Sequence, residues 1–130
     1  MRRSVLVLAL LALALPAVAA TLAGVTMPDT ITVGNQTLVL NGMGIRTKFF
    51  VKVYVAGLYL EKKASDANAI VQSDATRRIV LQFTREVEAA EMGEAFADGL
   101  TANAPEKAAA LKTQIDQFRA ALETLKPGEQ

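Results

Sequence analysis

The stretch from Gly42 to Ile70 reads GMGIRTKFFVKVYVAGLYLEKKASDANAI and contains the longest strand-like pattern of the chain, preceded by one arginine, Arg46. Every second residue from Phe49 onward is apolar or small, which predicts a β-strand with one face in a core. That face would hold Phe49, Val51, Val53, Val55, Gly57 and Tyr59. The alternate positions begin charged at Lys48 and become apolar toward Leu60. We expect this second face to form the wall of an amphipathic pocket, with Arg46 at its mouth.

The same stretch resembles the chalcone isomerase-like superfamily, in particular its bacterial secreted branch. The resemblance rests on Gly42-x-Gly44-x-Arg46, Lys48-Phe49-Phe50, Lys52-Val53-Tyr54 and Gly57-Leu58-Tyr59-Leu60. It continues through Ser65-Asp66-Ala67 and residues 78–83 to Pro127-Gly128. It therefore covers nearly all of the chain from about Thr21 to the last residue.

The first 19 residues have the pattern of a Sec-type signal peptide. Arg2 and Arg3 are followed by an unbroken apolar run over residues 5–15, and Ala17-Val18-Ala19 supplies the small residues of a cleavage site. The run is shorter than the ~20 residues that span a bilayer. We predict a signal peptide at Met1–Ala19, one domain at residues 20–130, a periplasmic or secreted location, and no stable membrane anchor after cleavage.

Composition excludes several classes of function. The chain has no cysteine and no histidine, which removes zinc sites of the usual kind, serine–histidine triads and cysteine nucleophiles. Without Arg2 and Arg3 it has 12 basic and 13 acidic residues, a net charge of −1. That balance does not favour nucleic acid as a partner. We predict no metal and no cofactor.

The remaining pattern separates strands from helices. Turn signals at Pro28-Asp29 and Gly34-Asn35 predict short strands and a hairpin before residue 40, and Asn41-Gly42 predicts a turn that leads into the long strand. Residues 77–84 alternate again and predict another strand. We therefore predict an α+β fold, with an antiparallel sheet and its helices packed on one face.

Three helices are expected after the long strand. Ser65 is a good N-cap for a short helix over residues 66–72, and a helical period begins at Glu88 and ends at Asn103-Ala104-Pro105. The last helix is predicted by one apolar stripe, formed by Leu111, Ile115, Phe118, Leu122 and Leu125. Relatives usually continue past the proline–glycine turn with a hairpin and a terminal helix. The resemblance therefore implies a sheet that is incomplete at its C-terminal edge, in a shortened member or a fragment.

Arg46 is the first candidate for a ligand-binding residue. A guanidinium is always charged, and its fork of donors suits a planar carboxylate or enolate. The resemblance implies the same role, because the matching arginine binds an acidic oxygen of the substrate in catalytic relatives and the carboxylate in fatty-acid-binding relatives. The alternative is a solvated arginine near a strand end. The expected pocket walls are Phe50, Tyr54, Leu58 and Met92.

The spacing of Arg46 and Tyr54 raises a geometric difficulty. Eight residues of straight strand span about 26 Å, which is too far for both side chains to contact one head group. A bend, a bulge or a long ligand would each resolve the difficulty, and the sequence leaves all three open.

The chain departs from the plant-type chalcone isomerases at the polar positions of their site. By rough alignment Tyr54 stands in place of the threonine, Met92 lies near the tyrosine and Gly99 near the asparagine, so that only the arginine remains. We therefore expect non-catalytic binding of a small amphipathic anion such as a fatty acid. An isomerase (intramolecular lyase) acting on an unknown substrate and an interaction module with a vestigial pocket are the alternatives, and the oligomeric state is left open.

Overall fold

A computed structural model of the chain describes residues 19–130. The predicted signal peptide lies outside these residues, apart from Ala19, which begins the first strand. The described strands are β1 (Ala19–Leu22), β2 (Val25–Pro28), β3 (Thr30–Val33), β4 (Gln36–Lys48), β5 (Val51–Leu60) and β6 (Arg77–Phe83). The described helices are α1 (Ala67–Gln72), α2 (Ala89–Asn103), α3 (Pro105–Ala110) and α4 (Lys112–Ala121).

The strands form an antiparallel meander in the order β3-β4-β5-β6, with β1 and β2 as a separate hairpin. Three helices follow β6 in sequence, so strands and helices are segregated and the α+β prediction is confirmed. The hairpin predicted at Gly34 is present, since Gly34 has a φ of 61° between β3 and β4. The turn predicted at Asn41-Gly42 is wrong. β4 runs through both residues, with a register shift between Leu40 and Gly42.

The segment that holds Arg46 and Tyr54, predicted as one long strand, is in fact two strands joined by a tight turn. Lys48 pairs with Val51, and the two residues between them, Phe49 and Phe50, have φ angles of 48° and 66°. Positive φ at both central residues is what a two-residue type I′ hairpin requires. The core prediction therefore fails for Phe49 and Val51, which are exposed.

The main core lies between the sheet and the β1–β2 hairpin. Its buried side chains are Val25, Met27, Leu38, Leu40, Val55 and Tyr59. The Tyr59 hydroxyl donates a hydrogen bond to the Pro28 carbonyl at 2.9 Å. Burial, and secondarily the charge of Asp29, raises the pKa of Tyr59 above its usual value. This tyrosine therefore stays neutral and ties β5 to the end of β2.

A second cluster joins the end of the sheet to the end of the chain. It contains Val53, Phe83 and Val87, with Leu125 packed against it. Leu125 and Val87 exchange two backbone hydrogen bonds of 2.8 and 2.9 Å. Gly128 N donates to Phe83 O, and Phe83 N donates to Glu129 O. Residues 125–129 thus pair with the end of β6, an edge strand of the sheet.

Two details of the helices differ from the sequence interpretation. The N-cap of α1 is Asp66 instead of Ser65, because the Asp66 carboxylate accepts from the Asn68 and Ala69 amides. The predicted last helix is divided at Leu111 into α3 and α4, and it ends before Leu122. The apolar stripe is therefore not the face of one helix.

Substitution of Gly57 tests how tightly the β1–β2 hairpin covers the sheet. A Cβ at Gly57 would lie 2.3 Å from Sδ of Met27, a residue that is only 1% exposed, so the Met27 side chain would have to shift within the core. We expect Gly57→Ala to lower the free energy of unfolding by about 1–3 kcal/mol. Urea denaturation of the chain from residue 20 measures this. Gly44→Ala, which meets nothing within 4 Å, is the control. Equal urea midpoints for Gly57→Ala and Gly44→Ala would contradict the close packing of Met27 against Gly57.

Candidate functional site

A groove of about 720 Å³ lies between α2 and the face of the sheet opposite the main core. Its strand side is lined by Arg46, Lys48, Val53, Tyr54, Leu81 and Phe83. The backbone pairing explains this face, because Arg46 lies opposite Tyr54 and Tyr54 lies opposite Phe83. Directly paired residues of an antiparallel sheet project to the same side. Three adjacent strands therefore each contribute one side chain to the same end of the groove.

The helix side of the groove contains an apolar stripe of α2. It is formed by Met92, Ala95, Phe96, Gly99 and Ala102. Separations of three and four residues place such side chains on one helix face. The Phe96 ring also packs against the ring of Phe118 in α4, with a distance of 4.6 Å between the two ring centroids. The three small residues of the stripe, Ala95, Gly99 and Ala102, leave room between helix and sheet, so the groove stays open.

The hairpin resolves the spacing problem of Arg46 and Tyr54. The chain reverses at Phe49 and Phe50, so the two residues are cross-strand neighbours and not eight positions apart on one strand. Such neighbours have Cβ atoms about 4.5–5.5 Å apart. The Tyr54 ring meets the Phe83 ring edge-on, with a centroid distance of 5.5 Å. The guanidinium of Arg46 and the Tyr54 side chain can therefore contact one head group.

One carboxylate pairs with the other two cations at this end of the groove. Glu91 Oε1 lies 3.3 Å from Nζ of Lys48 and 2.9 Å from Nη2 of Arg85. The hydrogen bond from Lys48 is the largest cause that lowers the pKa of Glu91, with smaller contributions from Arg85, although Arg85 is closer. Within residues 19–130, Arg46 forms no salt bridge. Arg46, which is exposed, thus lines the groove without being held in an ion pair of the described residues.

The structure brings together three of the five residues that the sequence proposed for the site. Arg46, Tyr54 and Met92 line the same groove. Phe50 does not line it, because this residue lies in the turn and its side chain is fully exposed. Leu58 lies on the same sheet face as Tyr54, paired with Gly42, but beyond the groove lining.

Sequence reasoning missed several lining residues. Leu81 and Phe83 share the alternation that predicted β6, so their face could have been assigned had its neighbour strand been known. Glu91 carried no sequence signal, because its partner Lys48 is 43 residues away. Two further carboxylates of α2, Glu94 and Asp98, also line the groove.

Two searches of the described residues are negative. Residues 19–130 contain no group of three or more acidic side chains placed to hold a metal ion. None of the described helices is long and apolar enough to cross a membrane.

The fold and the motif both have a counterpart among known families. A family model described as chalcone isomerase-like matches residues 19–130. The match extends over most of the chain, which therefore belongs to the chalcone isomerase-like family. Comparison with curated proteins finds no match to the chain.

The Glu91 ion pairs predict an order of pKa changes. Because the pKa of Glu91 is lowered, the pairs are fully formed above the ordinary glutamate value of about 4.3 and are lost as pH falls through the lower, folded-state value. Lys48→Ala should raise this pKa toward the ordinary value, and Arg85→Ala should raise it less. A carbon-detected NMR titration of the Glu91 carboxylate measures both. Lys52→Ala serves as the control, and an unchanged pKa in Lys48→Ala would contradict the geometry.

Proposed function

We propose that this chalcone isomerase-like chain reversibly binds a small amphipathic anion, such as a fatty acid, in the groove between the sheet and α2. Arg46 anchors the anionic head, and Tyr54 contacts the same head group. The observation that carries the proposal is the charge distribution at this end of the groove. Lys48 and Arg85 are both paired with Glu91, whereas Arg46 forms no salt bridge within the described residues.

The lining supports a ligand with a hydrocarbon part. Beyond Arg46 the strand side continues with Tyr54, Phe83 and Leu81, and the helix side contributes an apolar stripe that begins at Met92, besides its carboxylates. Small-molecule sites are typically about 300–1,000 Å³, lined mainly by apolar groups with a few polar ones that fix orientation. The groove has this composition and this size. An acyl chain along the Met92 stripe would bury apolar surface while its carboxylate stays at Arg46.

The acidic residues of α2 support a single orientation of the ligand. Glu94 and Asp98 line the helix side of the groove, and Arg46 lies on the strand side. Like charges repel and unlike charges attract over these separations, with incomplete screening near the protein surface. A monoanionic head is therefore drawn toward β4, and a ligand with several negative charges is disfavoured.

The same lining favours binding over catalysis. Cyclising a chalcone needs groups that hold the phenoxide and stabilise the enolate as charge moves. Among the groove-lining side chains, only Tyr54 carries a hydroxyl, and Met92 and Gly99 offer no hydrogen-bonding side chain. Arg46 and Tyr54 alone provide little stabilisation that is specific to a transition state.

We also propose that the chain is exported and processed after Ala19. The proposal rests on the positive start, the apolar run and the small residues before the cleavage site. The family match begins at residue 19 and both buried clusters use residues after it, so the chain from residue 20 contains the whole described fold, apart from Ala19 itself. Intact mass of the protein recovered from a bacterial periplasm tests the processing site.

Removal of the Arg46 side chain tests the binding proposal. The chain from residue 20 should change the emission of an anionic fluorescent fatty acid, and Arg46→Ala should abolish the change. Loss of a hydrogen-bonded charge corresponds to at least about a tenfold loss of affinity. Arg78→Ala is the matched control, because Arg78 is an exposed arginine on β6 that pairs with Tyr59, well away from the turn.

Other outcomes of this experiment point to other functions. If Arg46→Ala and Arg78→Ala both bind the probe as the unaltered chain does, Arg46 is not the anchor. Turnover of a chalcone that is lost in Arg46→Lys would identify an isomerase instead. Concentration-dependent association in sedimentation, with no effect of Arg46 in any binding assay, would identify an interaction module.

Neutralising an acidic residue of the groove should raise the affinity for the anionic probe, whereas removing Arg46 should lower it. Asp98→Asn and Glu94→Gln each remove one negative charge from the lining without changing its size. We expect each to strengthen binding of the anionic probe by about twofold to fivefold at low salt. Glu123→Gln, at an exposed position after α4, is the control. Equal affinities for all variants would contradict the orientation argued here.

A further inference from the structure

The tip of the β4–β5 hairpin presents two aromatic side chains to solvent. Phe49 is 86% exposed and Phe50 is fully exposed, and Val51 beside them is also exposed. Aromatic residues at such exposure are the opposite of what the hydrophobic effect favours in a folded domain. Nothing in the described core uses them, because the sheet face that packs against β2 begins beyond the turn.

The turn holds these aromatic residues in an unfavourable backbone conformation. Both have positive φ, which is rare for residues other than glycine, asparagine and aspartate. A two-residue type I′ turn is best made by Asn-Gly. Phe-Phe therefore costs the fold both backbone energy and exposed apolar area. A function for the tip that uses the aromatic rings would account for a sequence that the fold itself disfavours.

The charge around the tip has one sign. Residues 36–60, which make up the whole hairpin, contain three basic residues and no acidic one. The three, Arg46, Lys48 and Lys52, all lie within three positions of the Phe49–Phe50 pair. The carboxylate that pairs with a lysine of this hairpin, Glu91 of α2, is held between Lys48 and Arg85. Lys52 is exposed and forms no salt bridge within the described residues.

From these observations we propose that the hairpin tip docks on the surface of an anionic lipid bilayer. Phe49 and Phe50 enter the interface, where apolar and aromatic side chains are buried by about 5–10 Å. Lys52 lies at the level of the head groups and contacts the lipid phosphates. Two aromatic side chains and a few cations give reversible binding, unlike a spanning helix. The inference does not depend on the ligand in the groove.

A turn variant separates membrane binding from folding. Phe49→Asn combined with Phe50→Gly replaces the aromatic pair with the sequence that the turn prefers. We expect its urea midpoint to rise, while its binding to phosphatidylglycerol-containing vesicles falls by about tenfold or more. Co-sedimentation with vesicles measures the binding. The control is Val71→Ser combined with Ile79→Ser, which removes two exposed apolar residues on α1 and β6, away from the tip.

The cationic contribution is tested by one lysine of the tip and one at the far end of the sheet. Lys52→Gln should weaken binding to the anionic vesicles by about fivefold, since one basic residue near such a surface contributes about that factor. Lys62→Gln, after the end of β5, should leave binding unchanged. Vesicles of phosphatidylcholine alone should bind the unaltered chain much more weakly.

The absence of tryptophan from the chain allows a direct observation of insertion. Phe50→Trp places a single tryptophan at the tip, and its emission should shift to the blue with anionic vesicles and be quenched by brominated lipid. Val71→Trp should do neither. The proposal is overturned if the Asn-Gly variant binds vesicles as well as the unaltered chain, or if Phe50→Trp shows no shift. It is also overturned if the tip instead mediates self-association that the Asn-Gly variant abolishes, without vesicle binding.

Discussion

The pairing of β4 with β5 is the constraint on which the site depends. The two-residue turn fixes Lys48 opposite Val51, and a register shift between Thr47 and Arg46 then places Arg46 opposite Tyr54. Because side chains alternate with a period of two, a slip by one residue would move Arg46 to the core face and Val55 to the groove. The same register therefore fills the main core and places the cation in the groove. A change in the register of β4 and β5 would therefore disrupt the core and the groove together.

Glu91 extends this constraint from the sheet to α2. It links the helix to Lys48 at the end of β4 and to Arg85 after β6. Exposed ion pairs contribute little to stability, so the importance of these pairs lies in position and charge. They hold the start of α2 beside the hairpin, and they compensate two of the three cations at that end. Arg46 becomes distinctive because its neighbours are already paired.

The sequence predicted those features that depend on local periodicity. The alternation from Val53 to Tyr59 predicted the buried positions of β5, and the Gly42-x-Gly44-x-Arg46 motif singled out Arg46, which lines the groove. The turn was missed because Phe-Phe carries none of the turn chemistry of glycine or asparagine. The contact between Glu91 and Lys48 was missed because no local rule connects residues 43 positions apart. The fold class could thus be predicted from the sequence, whereas the shape of the groove required the tertiary structure.

The sequence failed to predict the turn at Phe49 and Phe50 because these residues conflict with the structure that they adopt. Natural sequences usually agree with their structure at every level, and local conflicts concentrate where a function requires them. Gly57 illustrates agreement, because the buried sulfur of Met27 leaves no room for a side chain there. Phe49 and Phe50 illustrate conflict, because the backbone and the solvent both disfavour them. Lys48 immediately precedes the same turn and also lines the groove, so a bilayer bound at the tip would lie beside the Arg46 end of the groove. An amphipathic anion in that bilayer would then have only a short path from the lipid surface to its proposed anchor.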